Sequence, residues 1–182
     1  MLQTEFPVPS SIRELPAHLH GKYRRLVFVT REKHLEMLGP VSDDTLVVSA
    51  NWLLWQKALV RHEHCIHTHL GLVDWDTTKL DQELWLMAYD WVYLDGEDDT
   101  RFRNISLGRK FAKEVSFVLA DIARIDRIFR QLIERFQPRE IVYYECKTDT
   151  GYLGHDYRLT LVENICTECG VGIVRRNDGL AR

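Results

Sequence analysis

Apolar and polar positions in this chain fall into two alternating regimes. Residues 1–21 hold Pro7, Pro9 and Pro16 and show no sustained period, which predicts an irregular lead-in. After Gly21 the run RRLVFVT (Arg24 to Thr30) is continuously apolar and rich in β-formers, as expected of a strand buried on both faces. TLVVSA (Thr45 to Ala50) is a second such run, separated from the first by a brief helical stretch that ends near Gly39-Pro40. NWLLWQKALVRH then brings Trp52, Trp55 and Leu59 to helical spacing, and HCIHTHL (His64 to Leu70) returns to a strand-like run.

The most regular pattern lies further on. Phe111, Val115, Val118, Leu119, Ile122, Ile125, Phe129, Leu132, Ile133 and Phe136 recur at steps of three and four, predicting one long amphipathic helix. Asn104 or Ser106 can cap its start, and Pro138 lies just beyond its end. EIVYYEC (Glu140 to Cys146) predicts the next strand, followed by the polar, glycine-bearing loop KTDTGYLGHD. A helix with Leu159, Val162, Cys166 and Cys169 on one stripe, Gly170 as its C-cap, and a last strand VGIVRR complete the pattern. About five strands alternating with helices predict an α/β, Rossmann-like three-layer sandwich. Its sheet would be mostly parallel with helices on both faces, in one domain over 22–182.

Composition narrows the class without changing the fold. The 182 residues carry Lys+Arg 24 against Asp+Glu 27, a net charge of -3, with 45% hydrophobic and 28% charged residues. A chain of this length buries roughly two-thirds of its unfolded surface and needs no staple. The balanced charge and a pI near 6.2 give no broad basic face for nucleic acid. No apolar run approaches the ~18 residues of a membrane span, and the first residues lack the pattern of a signal peptide, so a reducing cytoplasm with four free cysteines is expected. Charge is nonetheless segregated locally. Gly71 to Asp99 holds nine acidic residues and one Lys, whereas Thr100 to Arg139 holds ten basic and four acidic, which reads as a solvated acidic loop beside a helix with a basic outer face.

In an open parallel sheet, ligands bind beyond the carboxyl ends of the strands. That rule selects Thr30 and Arg31 after the first strand, Asn51 and Trp52 after the second, and Asp74 and Trp75 after the third. After the fourth it selects Glu145, Asp149, Gly151, Gly154 and His155. The first strand–helix turn, VTREKHLEMLG, has no glycine-rich phosphate fingerprint, and neither GxSxG nor HExxH occurs. No nucleotide cofactor is therefore expected. His62, His64, Cys65, His67 and His69 fall within eight positions, and in a strand Cys65, His67 and His69 would share a face. A small metal-dependent enzyme built on His62–His69 is the alternative this opens, although structural imidazoles are the expectation and no metal site is assigned. The CTEC pair, Cys166 and Cys169, reads as core packing, because both sulfurs fall on the apolar stripe of a helix. Trp85 and Tyr89, four apart, are expected to pack on the sheet.

The stretch from WVYLDGEDDTRFRNISLGRKF to NICTECGVGIVRR resembles the N-terminal Rossmann-like domain of bacterial surface-carbohydrate glycosyltransferases of the GT-B type. The shared features are an acidic loop, the ISLG helix start (Ile105 to Gly108), a long helix, a Pro, a strand, a glycine-bearing loop, a helix and a short strand. The resemblance covers about half of the chain. It implies the acceptor side of a cleft, a carbohydrate acceptor, and a second Rossmann-like domain beyond Arg182 that binds the nucleotide sugar; without that half no activity is expected. It also implies a base for the acceptor hydroxyl, with Asp74, Glu145, Asp149 and His155 as geometric candidates. Arg31 could hold an anionic group by bidentate hydrogen bonds. A non-catalytic α/β protein-interaction module is the other expectation.

Overall fold

The computed structural model describes Leu19 and residues 21–68, 78–90, 92–94, 97–98, 100–145 and 157–177. In chain order the elements begin with β1 (Arg25–Val29), α1 (Glu32–Leu38), β2 (Thr45–Ser49), α2 (Trp52–Leu59) and β3 (Cys65–His67). They continue with α3 (Thr78–Asp90) and four short strands, β4 (Tyr93–Leu94), β5 (Glu97–Asp98), β6 (Arg101–Phe102) and β7 (Ile105–Ser106). The last are α4 (Leu107–Phe136), β8 (Glu140–Glu145), α5 (Tyr157–Cys169) and β9 (Gly172–Asn177). The chain divides into two compact units, Met1–Val73 with Ile128–Arg182, and Asp74–Arg127.

The first unit is an α/β, Rossmann-like fold. Its five-stranded sheet has the order β3-β2-β1-β8-β9, and every pairing is parallel. The chain builds outward from β1 to β3, then returns to lay β8 on the other side of β1. The order therefore reverses between β1 and β8, the switch point of a doubly wound sheet. β1, β2 and β8 read as near-continuous apolar runs because helices cover both faces there, whereas the edge strand β9 is half-buried to exposed.

Register assigns the faces. Arg25 pairs with Thr45 and Glu140, so alternate positions from there, Val27, Val47, Cys65 and Val142, share one face. α1 and α2 cover it, with His34 stacked on Tyr144 and Trp52 on His67. The other face carries Leu26, Phe28, Val48, Ile66, Ile141 and Tyr143. There Phe28 lies 5.1 Å from the ring of Phe129, and Arg175 pairs with Glu163 of α5, which places the end of α4 and α5 on that side. Arg130 of α4 also pairs with Glu168 of α5.

Element ends follow local chemistry. The Asn51 side chain caps α2 by accepting from Leu53 N at 2.9 Å and Leu54 N at 3.2 Å. Gly170 ends α5 with φ +69, the left-handed conformation that glycine adopts without a Cβ penalty. Ser106 Oγ accepts from Arg109 N at 3.1 Å, so of the two expected caps of α4 the serine makes the bond.

Three packing expectations need correction. Cys166 is buried but Cys169 is exposed: it sits in the last turn of α5, immediately before the chain leaves the helix, and Ile165 takes the inward place. Trp85 is 43% exposed, because α3 turns Leu84 and Ala88 inward and Trp85 lies one position off that line. The stripe of α4 is fully buried only over Ile128, Phe129, Leu132, Ile133 and Phe136; Val115, Val118, Leu119, Ile122 and Ile125 are half-buried and Phe111 is exposed. The acidic stretch is not simply a loop: it contains α3 and the β4–β5 pair, and β6–β7 follows directly.

Candidate functional site

The carboxyl edge of the sheet gathers a polar row. Val29 pairs with Ser49 and Ser49 with His67, while Tyr144 stands one residue beyond the Phe28–Tyr143 pair and opposite Arg176 of β9. Alternation then aligns His67, Ser49, Val29, Tyr144 and Arg176 on the α1/α2 face, at the ends where ligands bind in such sheets.

Thr30 and His34 build the wall above β1. The Thr30 N–H donates to His34 Nδ1 at 3.3 Å, and Thr30 Oγ1 lies 3.4 Å from the same nitrogen. Accepting a backbone N–H makes Nδ1 unprotonated, so the imidazole is neutral with its proton on Nε2. The ring lies parallel to Tyr144, with centroids 4.4 Å apart. Tyr144 is only 2% exposed, and its hydroxyl makes no hydrogen bond to a described residue. It sits at the reversal of strand order.

The wall above β2 and β3 is aromatic. Trp52 is stacked on His67 with centroids 3.6 Å apart, and Trp55 meets Trp52 edge-on at 5.5 Å. His67 is completely buried, whereas Trp52 is 43% exposed, so the indole reaches the rim. Ser49 and Asn51 hold the turn between them: Asn51 N donates to Ser49 Oγ at 3.2 Å, and Thr68 N donates to Ser49 O at 2.9 Å.

Of the residues singled out by sequence, Thr30, Arg31, Asn51 and Trp52 lie together on this edge. Thr30 contributes to the His34 bond, Arg31 is the residue before α1, and Asn51 serves as a helix cap. The backbone of Glu145 ends β8 at the same edge. Asp74, Trp75, Asp149, Gly151, Gly154 and His155 lie outside the described residues. His34 and Tyr144 were not among the candidates; the signals available for them were the four-residue step from Thr30 into α1 and the strand parity of β8.

Of the histidine-rich stretch, His69 lies outside the described residues, and the rest is engaged locally. Tyr23 Oη and His64 Nδ1 are hydrogen-bonded at 3.0 Å, His67 backs Trp52, and His62 is buried. Cys65 does share a face with His67, and burial pushes its thiol up to about 12, so it stays protonated at neutral pH. Among the described residues no three His, Cys, Asp or Glu side chains are grouped to hold a metal ion. Elsewhere, a hollow of about 390 Å³ opens among Arg25, Leu38, Pro40, Ser42, Thr45 and Arg176, but Arg25 there is neutralised by Glu140.

Comparison with protein-family models, with curated proteins and with solved structures found no match to this chain.

Proposed function

We propose that the chain binds a hydroxyl-rich acceptor of the carbohydrate class at the carboxyl edge of its sheet. In this reading it is the acceptor-side half of a GT-B type glycosyl transfer whose nucleotide-sugar half is a second domain. The observation that carries the reading is the His34–Tyr144 stack at the β1/β8 reversal, where a buried phenol has no hydrogen-bond partner among the described residues.

The chemistry of the edge favours a neutral polyol over a nucleotide. The β1–α1 turn, Thr30-Arg31-Glu32, has no glycine to let a diphosphate approach the backbone, and the first amides of α2 are already capped by Asn51. A neutral imidazole, a phenol and a half-exposed indole are suited to hydroxyl groups and to the C–H face of a sugar ring. Arg31, beside them, would take a carboxylate or phosphate substituent on the acceptor. In this reading the chain supplies binding and orientation, and transfer requires the donor-binding partner.

Saturation-transfer NMR with methyl hexosides and short oligosaccharides tests the proposal. At least one sugar should receive saturation from the protein. Trp52→Ala should weaken that sugar about tenfold, the loss expected for one stacking contact of about 1.4 kcal/mol. Tyr144→Phe should weaken binding while leaving the fold intact, since it removes only a hydroxyl that bonds to no described residue and keeps the ring stacked on His34. Absence of transfer to every sugar, or binding indifferent to both substitutions, would overturn it.

A further inference from the structure

A second recess lies on the α1/α2 face of the sheet, away from the carboxyl edge. Arg25 and Thr45 are the first residues of β1 and β2, and both line the hollow of about 390 Å³, so it reaches the amino ends of these strands. Its floor includes Val27 of β1 and Val142 of β8, both buried, and its wall includes Leu38 and Val41, where the chain passes from α1 to β2. Arg176 of the edge strand β9 belongs to the same lining. All of these residues fall in the unit Met1–Val73 with Ile128–Arg182, so the recess is built within one compact body. Its volume suits a small metabolite, since sites for small molecules run from roughly 300 Å³ upward.

Most of the polar groups around the hollow are already committed. Glu140 Oε1 accepts from Arg25 Nε at 2.6 Å and pairs with Nη2 of the same guanidinium, which neutralises that charge. Ser42 Oγ donates to Asp44 Oδ1, and Thr45 Oγ1 donates to the same oxygen at 3.4 Å. The bond from Ser42, above all, holds the Asp44 carboxyl below its ordinary range, so at neutral pH the carboxylate keeps both hydroxyl protons directed at itself. Asp43, next in the loop, is exposed and does not line the hollow. Among the described lining residues none is acidic, and Arg176 forms no ion pair with a described residue. What the recess presents is therefore the Arg176 guanidinium, the lone pairs of the Ser42 hydroxyl, and an aliphatic floor between them.

Strand parity separates the two arginines of β9. Charged side chains on an edge strand serve in general to discourage pairing with another strand. Arg175 faces α5, where it pairs with Glu163, whereas Arg176 stands on the opposite face, in register with Tyr144. Only the second borders the hollow.

We propose that this hollow binds a small organic anion that also carries a hydroxyl group, a hydroxy acid or a polyol phosphate. The oxyanion pairs with Arg176, whose forked N–H donors match the oxygens of a carboxylate or a phosphate. The ligand hydroxyl donates to Ser42 Oγ, and the carbon body covers Val27 and Val142. A neutral polyol would leave the guanidinium unused, and a bare inorganic anion would leave the aliphatic floor uncovered.

The test is titration of the ¹⁵N-labelled full chain with gluconate and with glycerol 3-phosphate, using sorbitol and glycerol as their neutral counterparts. At least one anion should give saturable shifts at the amides of Val27, Leu38, Val41 and Ser42, and which one does so separates carboxylate from phosphomonoester. At these amides the neutral counterpart should bind at least about tenfold more weakly. Arg176→Gln should weaken the anion at least about tenfold, with an unchanged thermal midpoint because the side chain is exposed. Arg175→Gln makes the same change of charge on the other face and should alter binding by less than about twofold. Ser42→Ala should weaken it about fivefold, as for one lost hydrogen bond. The proposal is overturned if neither anion shifts these amides, if the neutral counterpart binds there equally well, or if Arg175→Gln costs as much as Arg176→Gln. Binding indifferent to Ser42→Ala would overturn the requirement for a hydroxyl.

Discussion

At the scale of single residues, burial decides both stability and reactivity. Phe129 is 2% exposed and rests against Phe28, so Phe129→Ala should cost about 3–5 kcal/mol on chemical denaturation. Asn51→Ala removes the acceptor for two amides of α2 and should cost about 1 kcal/mol. Burial raises the Cys65 thiol to about 12 and the Cys166 thiol to about 11, the latter helped by Cys169 and Glu163. A thiol reagent should therefore modify exposed Cys169 in the native protein while Cys65 and Cys166 stay protected until unfolding. Titration adds a direction. Burial, and then the charge of Arg61, hold the His62 imidazole below its ordinary 6.5. Below about pH 6.5 the unfolded chain takes up a proton that the folded chain refuses, so this group makes stability fall as pH drops from there, measurable as a falling denaturation midpoint. Above that value it adds no slope. The identity of Cys166 as a core residue was legible from its stripe, whereas the exposure of Cys169 was not, since periodicity does not say where neighbouring elements stop covering a helix.

At the scale of elements, α4 shows what periodicity does and does not determine. Its apolar steps of three and four announced a helix, and the structure runs it unbroken over Leu107–Phe136. The same steps cannot say which turns are covered. Phe129, Leu132 and Phe136 lie against the sheet, while Phe111 and Phe117 remain exposed. Gly108→Ala should destabilise by about 1–3 kcal/mol, because the added methyl meets Thr100 Oγ1 and the Val92 methyls at 2.5 to 2.8 Å. Loss of amide protection confined to residues of the Asp74–Arg127 unit would be the signature in hydrogen exchange. β1, β2 and β8 were legible because parallel strands covered on both faces are continuous apolar runs, whereas the exposed edge strand β9 was legible from its short GIV run after the Gly170 helix stop. The two-residue strands β4 to β7 were not: pairs so short leave no alternation to read.

At the scale of the whole molecule, the strand order β3-β2-β1-β8-β9 brings residues far apart in the chain to one edge of the sheet. That Thr30, Arg31, Asn51 and Trp52 lie at the carboxyl edge was legible, since strand ends can be read from the chain. The meeting of His34 and Tyr144 was not, since it depends on β8 returning beside β1 across a sequence separation that no local pattern reports. The central claim is that this reversal is a ligand site. It is tested most directly by titrating the ¹⁵N-labelled protein with the sugar that gives the strongest saturation transfer and following the amide resonances. The account predicts saturable shifts concentrated at Thr30, Arg31, His34, Asn51, Trp52 and Tyr144. Saturable shifts confined to other regions, or no saturable shift at any amide, would contradict it.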